Sequence, residues 1–172
     1  MATVIYGDYG VRNGIGSMTA VNLTNQTAVD FVLPSMPDGF KRITVMFNGL
    51  SSSGTTHFHV RIGSNSVQTT GYSSCAGGNV NNGAGTVGAS ASGFLMYNDT
   101  AGDTRSGMMT LTHMGSNVWT GQHGAQTSNS RVVNWYGAGV ATVSGGPLAI
   151  IRLTTENGTD VLDAGAVNVL YE

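Results

Sequence analysis

His57 and His59 are the side chains in this chain best spaced for metal chemistry. They stand two apart in KRITVMFNGLSSSGTTHFHVRIG, Lys41 to Gly63, and alternate residues of an extended segment share one face. A structural metal needs further ligands, and no Cys, Asp or Glu lies nearby in the sequence. Three copies around a threefold axis would supply six imidazoles. Polar residues on a solvated face account for the pair without metal, and that reading is adopted here, with no cofactor expected. Glycoside hydrolysis would require two carboxyls flanking the bond. The nearest candidates are Glu156 with Asp160 and Asp99 with Asp103, and both pairs fall in turn-like stretches where Asp ordinarily bonds its own backbone. Asp99, Asp103, Asp160 and Asp163 do not follow the spacing of a calcium loop. Ser74-Cys75 has no activating neighbour, and no nucleophile elbow stands out. No catalytic residue is assigned, and the chain reads as a non-enzyme.

The other candidates make contact rather than chemistry. Tyr72, Trp119, Trp135 and Tyr136 stand beside glycine or polar stretches. Sugars stack on such aromatic faces while amides and hydroxyls hold their oxygens. Tryptophan is also a natural core or subunit-interface residue, so Tyr72 and Tyr136 lead the set. His113 and His123 lie near one hairpin as rim donors, although an ordinary surface histidine would look the same.

These residues must be positioned by strands. In the Lys41–Gly63 stretch Ile43, Val45 and Phe47 alternate with Thr44, Met46 and Asn48. Phe58, Val60 and Ile62 alternate with His57, His59 and Arg61. Period two marks half-buried strands, and the serine, glycine and threonine turn between the runs predicts an antiparallel pair. Further strands are expected at Ala2–Tyr6, Met18–Leu23, Val29–Leu33, Val67–Tyr72 and Gly93–Tyr97. Met108–Met114 pairs with Val118–Gly121 as a hairpin, and Arg131–Ser144 is an extended run whose glycines at 137 and 139 suggest a bulge or bend. Leu148–Thr155 returns across Asn157-Gly158, a strong hairpin signal, and Ala166–Tyr171 closes the chain. Ser73–Ser92 and Gly121–Arg131 read as long polar loops.

Composition agrees with an all-β class. Of 172 residues 26 are glycine, Lys41 is the sole lysine, and Glu156 and Glu172 are the only glutamates, so strong helix formers are scarce. Such a length suits one domain, residues 1–172, with residues 1–38 as an attachment or edge segment. The expected architecture is an antiparallel β-sandwich of jelly-roll type. With 9% charged residues and a net charge of −2, the chain lacks the cation clusters a nucleic-acid binder needs. No apolar run approaches the about 20 residues of a membrane helix, and MATVIYGDYG does not read as a secretory signal. Cys75 is alone, so no intrachain disulfide is expected.

Four segments in series carry a resemblance: RITVMFNGLSSSGTTHFHVRIG, VQTTGY, SGFLMYNDTAGDTRSGMMTLTHMGSNVWTG and LAIIRLTTENGTDVLDAGAVNVLYE. Together they span about Phe40 to Glu172, and the stretch Arg152 to Glu172 is the most specific. The series resembles the C-terminal domains of bacteriophage virion proteins, especially tail-fibre and host-specificity proteins. The resemblance implies a β-sandwich module on a virus surface, trimeric and without cofactor, made in the bacterial host cytoplasm. Its partners would be other copies, other virion proteins and a host surface glycan or protein. About forty residues precede the match, where tail fibres carry a long shaft. Two placements follow: a fibre tip used for host adsorption, or a capsid decoration or head-spike protein.

Overall fold

The computed structural model describes residues 2–6, 15–34, 39–80, 85–128 and 132–172. Among them there are fourteen strands, no helix, and two packed, antiparallel-rich sheets. The strands run β1 (Ala2–Tyr6), β2 (Gly16–Ser17), β3 (Val21–Asn22), β4 (Ala28–Val32), β5 (Arg42–Ser52), β6 (Phe58–Gly63) and β7 (Tyr72–Val80). They continue as β8 (Gly85–Ser90), β9 (Phe94–Met96), β10 (Arg105–Gly115), β11 (Val118–Ser128), β12 (Val132–Thr142), β13 (Ile150–Thr155) and β14 (Leu162–Tyr171). The smaller sheet is ordered β1-β4-β13-β6-β9, and the larger β2-β14-β5-β10-β11-β12-β7-β8 with β3 also on β14. Only β1 on β4 is parallel.

The alternating runs bury the faces they imply. Ile43, Val45, Phe47, Val167, Val169 and Tyr171 from the large sheet meet Phe58, Val60, Ile62, Ile151 and Leu153 from the small one. Each such side chain contributes on the order of 1.5–3 kcal/mol by leaving water. The pairing, however, differs from expectation. β5 and β6 lie in different sheets, as do β13 and β14, so neither is a hairpin. Period two reports which face is buried, not which neighbour the backbone bonds.

Glycine-rich stretches account for the other corrections. Most of Ser73–Ser92 is the β7–β8 pair, with residues 81–84 outside the described set, and Gly121–Ser128 continues β11. Gly137 and Gly139 make no bulge, because β12 pairs without a break on both sides. These glycines serve close approach instead. A Cβ at Gly137 would fall 2.4 Å from the His123 ring, and one at Gly121 would fall 2.8 Å from the Phe94 ring. Real bulges occur where β14 meets β5, at Gly49 (φ 66) and Gly165 (φ 96), conformations that need glycine. Val67 forms only an isolated bridge to Gly63, and the strand expected there begins at Tyr72.

Within the 1–38 segment β1 is a sheet edge, whereas β4 lies inside the small sheet and buries Val29 and Phe31 completely. From β4, Asp30 forms a two-pronged ion pair with Arg152 of β13, both bonds at 2.6 Å.

Tyr72 ties the sheets together. β9 pairs with β6 only from Phe58 to Val60, which leaves the Ile62 backbone without a strand on that side. The Tyr72 hydroxyl accepts from Ile62 N–H at 2.7 Å and reaches Ile62 O at 3.1 Å. Burial pushes its phenol up to about 12, so it stays a neutral donor. Tyr72→Phe keeps the edge-on contact with Phe94 but strips the Ile62 amide of its partner. The expected loss is about 1–3 kcal/mol, read as a lower urea midpoint.

Candidate functional site

Of the aromatic contact candidates only Tyr136 is open to solvent, 60% exposed. Tyr72 is buried in the staple just described. Trp119 and Trp135 are each 2% exposed and belong to the interior. Trp119 stacks on His113, ring centres 4.9 Å apart. Trp135 donates from Nε1 to Thr127 Oγ1 at 2.6 Å and stacks on Tyr97 at 5.1 Å. His123 is buried at 7% exposure, packs on Gly137, and has no hydrogen-bond partner at Nε2. Burial brings its pKa down to about 4, so it is a neutral interior group and not a rim donor.

His57 and His59 are not a solvated pair. His57 Nδ1 sits against the Asn98 backbone, 2.6 Å from its O and 3.0 Å from its N, and its ring packs on Tyr97 at a tilt. His59 is fully buried beneath the chain at Gly93. Burial, then the nearby charges of Arg61 and His57, lower its pKa to about 3. Arg61 Nη2 donates to His59 Nδ1 at 3.2 Å, which places the imidazole proton on Nε2. Among the described residues no three His, Cys, Asp or Glu converge in a way that would hold a metal.

The carboxylate pairs are turn residues. Asp160 takes hydrogen bonds at Oδ2 from the Thr56 hydroxyl and N–H, and at Oδ1 from Asn157 Nδ2. The Thr56 hydroxyl and Asn157 together hold its carboxyl below the usual range. Asn157 Oδ1 in turn accepts from the N–H groups of Thr159 and Asp160, both at 3.0 Å.

These bonds brace one end of the sandwich. The β5–β6, β9–β10 and β13–β14 connections, residues 53–57, 97–104 and 156–161, meet there. Asn98 Nδ2 donates to Gly54 O and Thr56 O at 3.1 Å, and Gly102 N–H donates to Ser52 O at 3.1 Å. Ser53, Ala101 and Thr159 remain exposed above this lattice of neutral bonds. The sequence signal for it is the Asn157-Gly158 turn with Asp160 two residues on.

A second surface is the outer face of β10, β11, β12, β7 and β8. Cross-strand register lines up Met108, Gly124, Tyr136, Gly77 and Val87 in one row. Thr110, Gln122, Ala138, Cys75 and Ala89 form the next. All of these but Ala89 line an open, mostly apolar trough of about 630 Å³. No outward position on these strands carries a charge; Arg105, their single charged residue among those described, is buried and faces inward. Four of the large apolar side chains exposed on the molecule, Val87, Met108, Tyr136 and Val140, lie on this face. Of its lining residues the sequence singled out as contact candidates only Tyr136 and His123, the latter lying in the trough floor, because the trough exists only once five strands are side by side.

Among the described residues, fold and surfaces define a helix-free two-sheet β-sandwich with a braced loop end and an uncharged sheet face. No family model matches the sequence, and no match was found among curated proteins or solved structures.

Proposed function

We propose that this chain is a bacteriophage virion structural protein, the exposed tail-fibre or fibre-tip module that adsorbs the particle to its host. The braced loop end carries the reading. Three connections locked by neutral side-chain bonds present hydroxyls and backbone groups in a fixed arrangement, and a surface already ordered loses little entropy on binding. The series of segments resembling tail-fibre domains supports it. Strands that pass repeatedly from one sheet to the other, as β4 to β5 to β6 and β13 to β14 do, suit a jelly-roll class, and we assign several copies, as a trimer, to each assembly. The module binds without catalysis or cofactor, its neighbours being other virion proteins and a host glycan or surface protein.

Purified protein is expected to bind host cells and to compete with phage adsorption. Thr159→Arg combined with Ala101→Arg, both at exposed positions, is expected to weaken cell binding by about tenfold or more, about 1.4 kcal/mol, at an unchanged urea midpoint. Wild-type protein that neither binds cells nor competes sinks the adsorption reading. The extent of uncharged sheet favours a second reading, a capsid decoration protein, and copy number per particle separates the two: hundreds for capsid, a few tens for tail.

A further inference from the structure

The uncharged face is an exception on this molecule. Elsewhere, Asp30, Arg152 and Arg61 form a row across the small sheet, and Arg42 pairs with Glu172 at the end of the large one. A sheet face that stays in water normally carries charges, and an open edge is guarded by Lys, Pro or a bulge. β8 is the edge of the large sheet, reads GTVGAS, pairs with β7 without a register break, and leaves Val87 84% exposed. It has none of those guards. Loss of charge together with exposed Met and aromatic side chains is the composition of an interface core, not of a solvated surface.

We propose that this face is buried against a second copy of the chain. The inference rests on the multi-copy assembly proposed above and locates its contact. Three observations select a copy over another occupant. The chain bears a net charge of −2, and here two copies approach without like charges meeting. The face bears both a knob, the projecting Tyr136 ring, and a hole, the trough over Gly124, where an added Cβ would meet no atom within 4 Å. A face holding both a knob and a hole can pack knob into hole from one identical subunit to the next around a closed ring, as a trimer requires. The size also agrees. Five strands of up to eleven residues make a face roughly 24 Å by about 35 Å, on the order of 800 Å². Each partner of a standard stable interface buries about 800 Å².

Gly124→Arg places a charge in the trough at a position where the added Cβ meets no atom within 4 Å. Wild-type protein at micromolar concentration is expected to sediment as an assembly of the 17.7 kDa chain, and Gly124→Arg as a monomer with an unchanged urea midpoint. Cys75, in the trough wall, reports independently: a maleimide is expected to label it slowly in the wild type and about tenfold faster or more in Gly124→Arg. If Gly124→Arg does not fold, Val87→Lys at the exposed edge makes the same test. A wild type that is monomeric, or charged variants that stay assembled, overturn the proposal. A monomer whose cell binding is lost in Gly124→Arg would instead give the face to the host, overturning this contact while leaving adsorption intact.

Discussion

Acidification from about pH 7.5 to about pH 4.5 is expected to cost the fold on the order of 4–5 kcal/mol. The groups responsible are His59 and His123, whose folded-state pKa values lie at about 3 and about 4 against 6.5 in a free chain. Below pH 6.5 the unfolded chain takes up protons that the two buried imidazoles refuse, so stability is full above 6.5 and falls with pH. Each group contributes about 1.4 kcal/mol per pH unit once well below 6.5, and both act together until His123 begins to titrate. Asp160, with its carboxyl held below 3.8, adds to the loss only at lower pH. Domains have about 5–15 kcal/mol in total, so the loss takes from roughly a third of that stability to nearly all of it. Urea midpoints at successive pH values measure it. His123→Leu, which removes a buried group lacking a partner at Nε2, is expected to halve the slope. A flat profile between pH 7 and pH 4.5 would show that these imidazoles are not held neutral in the interior.

Trp135→Ala is expected to be the most damaging single substitution, at about 3–5 kcal/mol. Trp135 is the centre of a stack that bridges the sheets. The Arg105 guanidinium lies 5.5 Å from its ring and 5.4 Å from Phe58, which belongs to the small sheet. On its other contact the ring stacks with Tyr97, which packs at a tilt on His57. Truncation leaves a cavity between sheets and exposes a buried arginine to it. Trp135→Phe keeps an aromatic surface and loses the bond to Thr127 Oγ1, so about 1 kcal/mol is expected. Urea unfolding of both variants tests the ordering; an alanine variant as stable as the phenylalanine one would place the ring outside the core.

The strands β5, β6 and β14 were legible because their apolar residues alternate, and the structure buries each set. The β7–β8 pair and the far half of β11 were not, since glycine and alanine carry no alternation and have low strand propensity. Their role emerges only from neighbours: Gly121 makes room for Phe94, and Gly137 for His123. The aromatic candidates failed for a related reason. Trp135 and Tyr136 are adjacent in one strand, so one must point in and the other out, but the sequence does not say which. The contact face did leave a trace, because between Ser106 and Ile151 the sole charged residue is Arg131. A composition gap becomes a surface only when the strand order is known.

The small sheet has a consequence for how the chain reaches its native state. Its five strands come from five separate stretches, and no two successive ones are joined directly by a turn. Asp30 and Arg152, side by side within it, are 122 positions apart along the backbone. Such a layer has no local hairpin from which to nucleate, so it acquires its order from the other sheet and the two appear in one cooperative step. Distant pairings of this kind belong to slow folders, on the millisecond-to-second scale, and the small sheet, lacking any local pair, is not expected to survive without the large one.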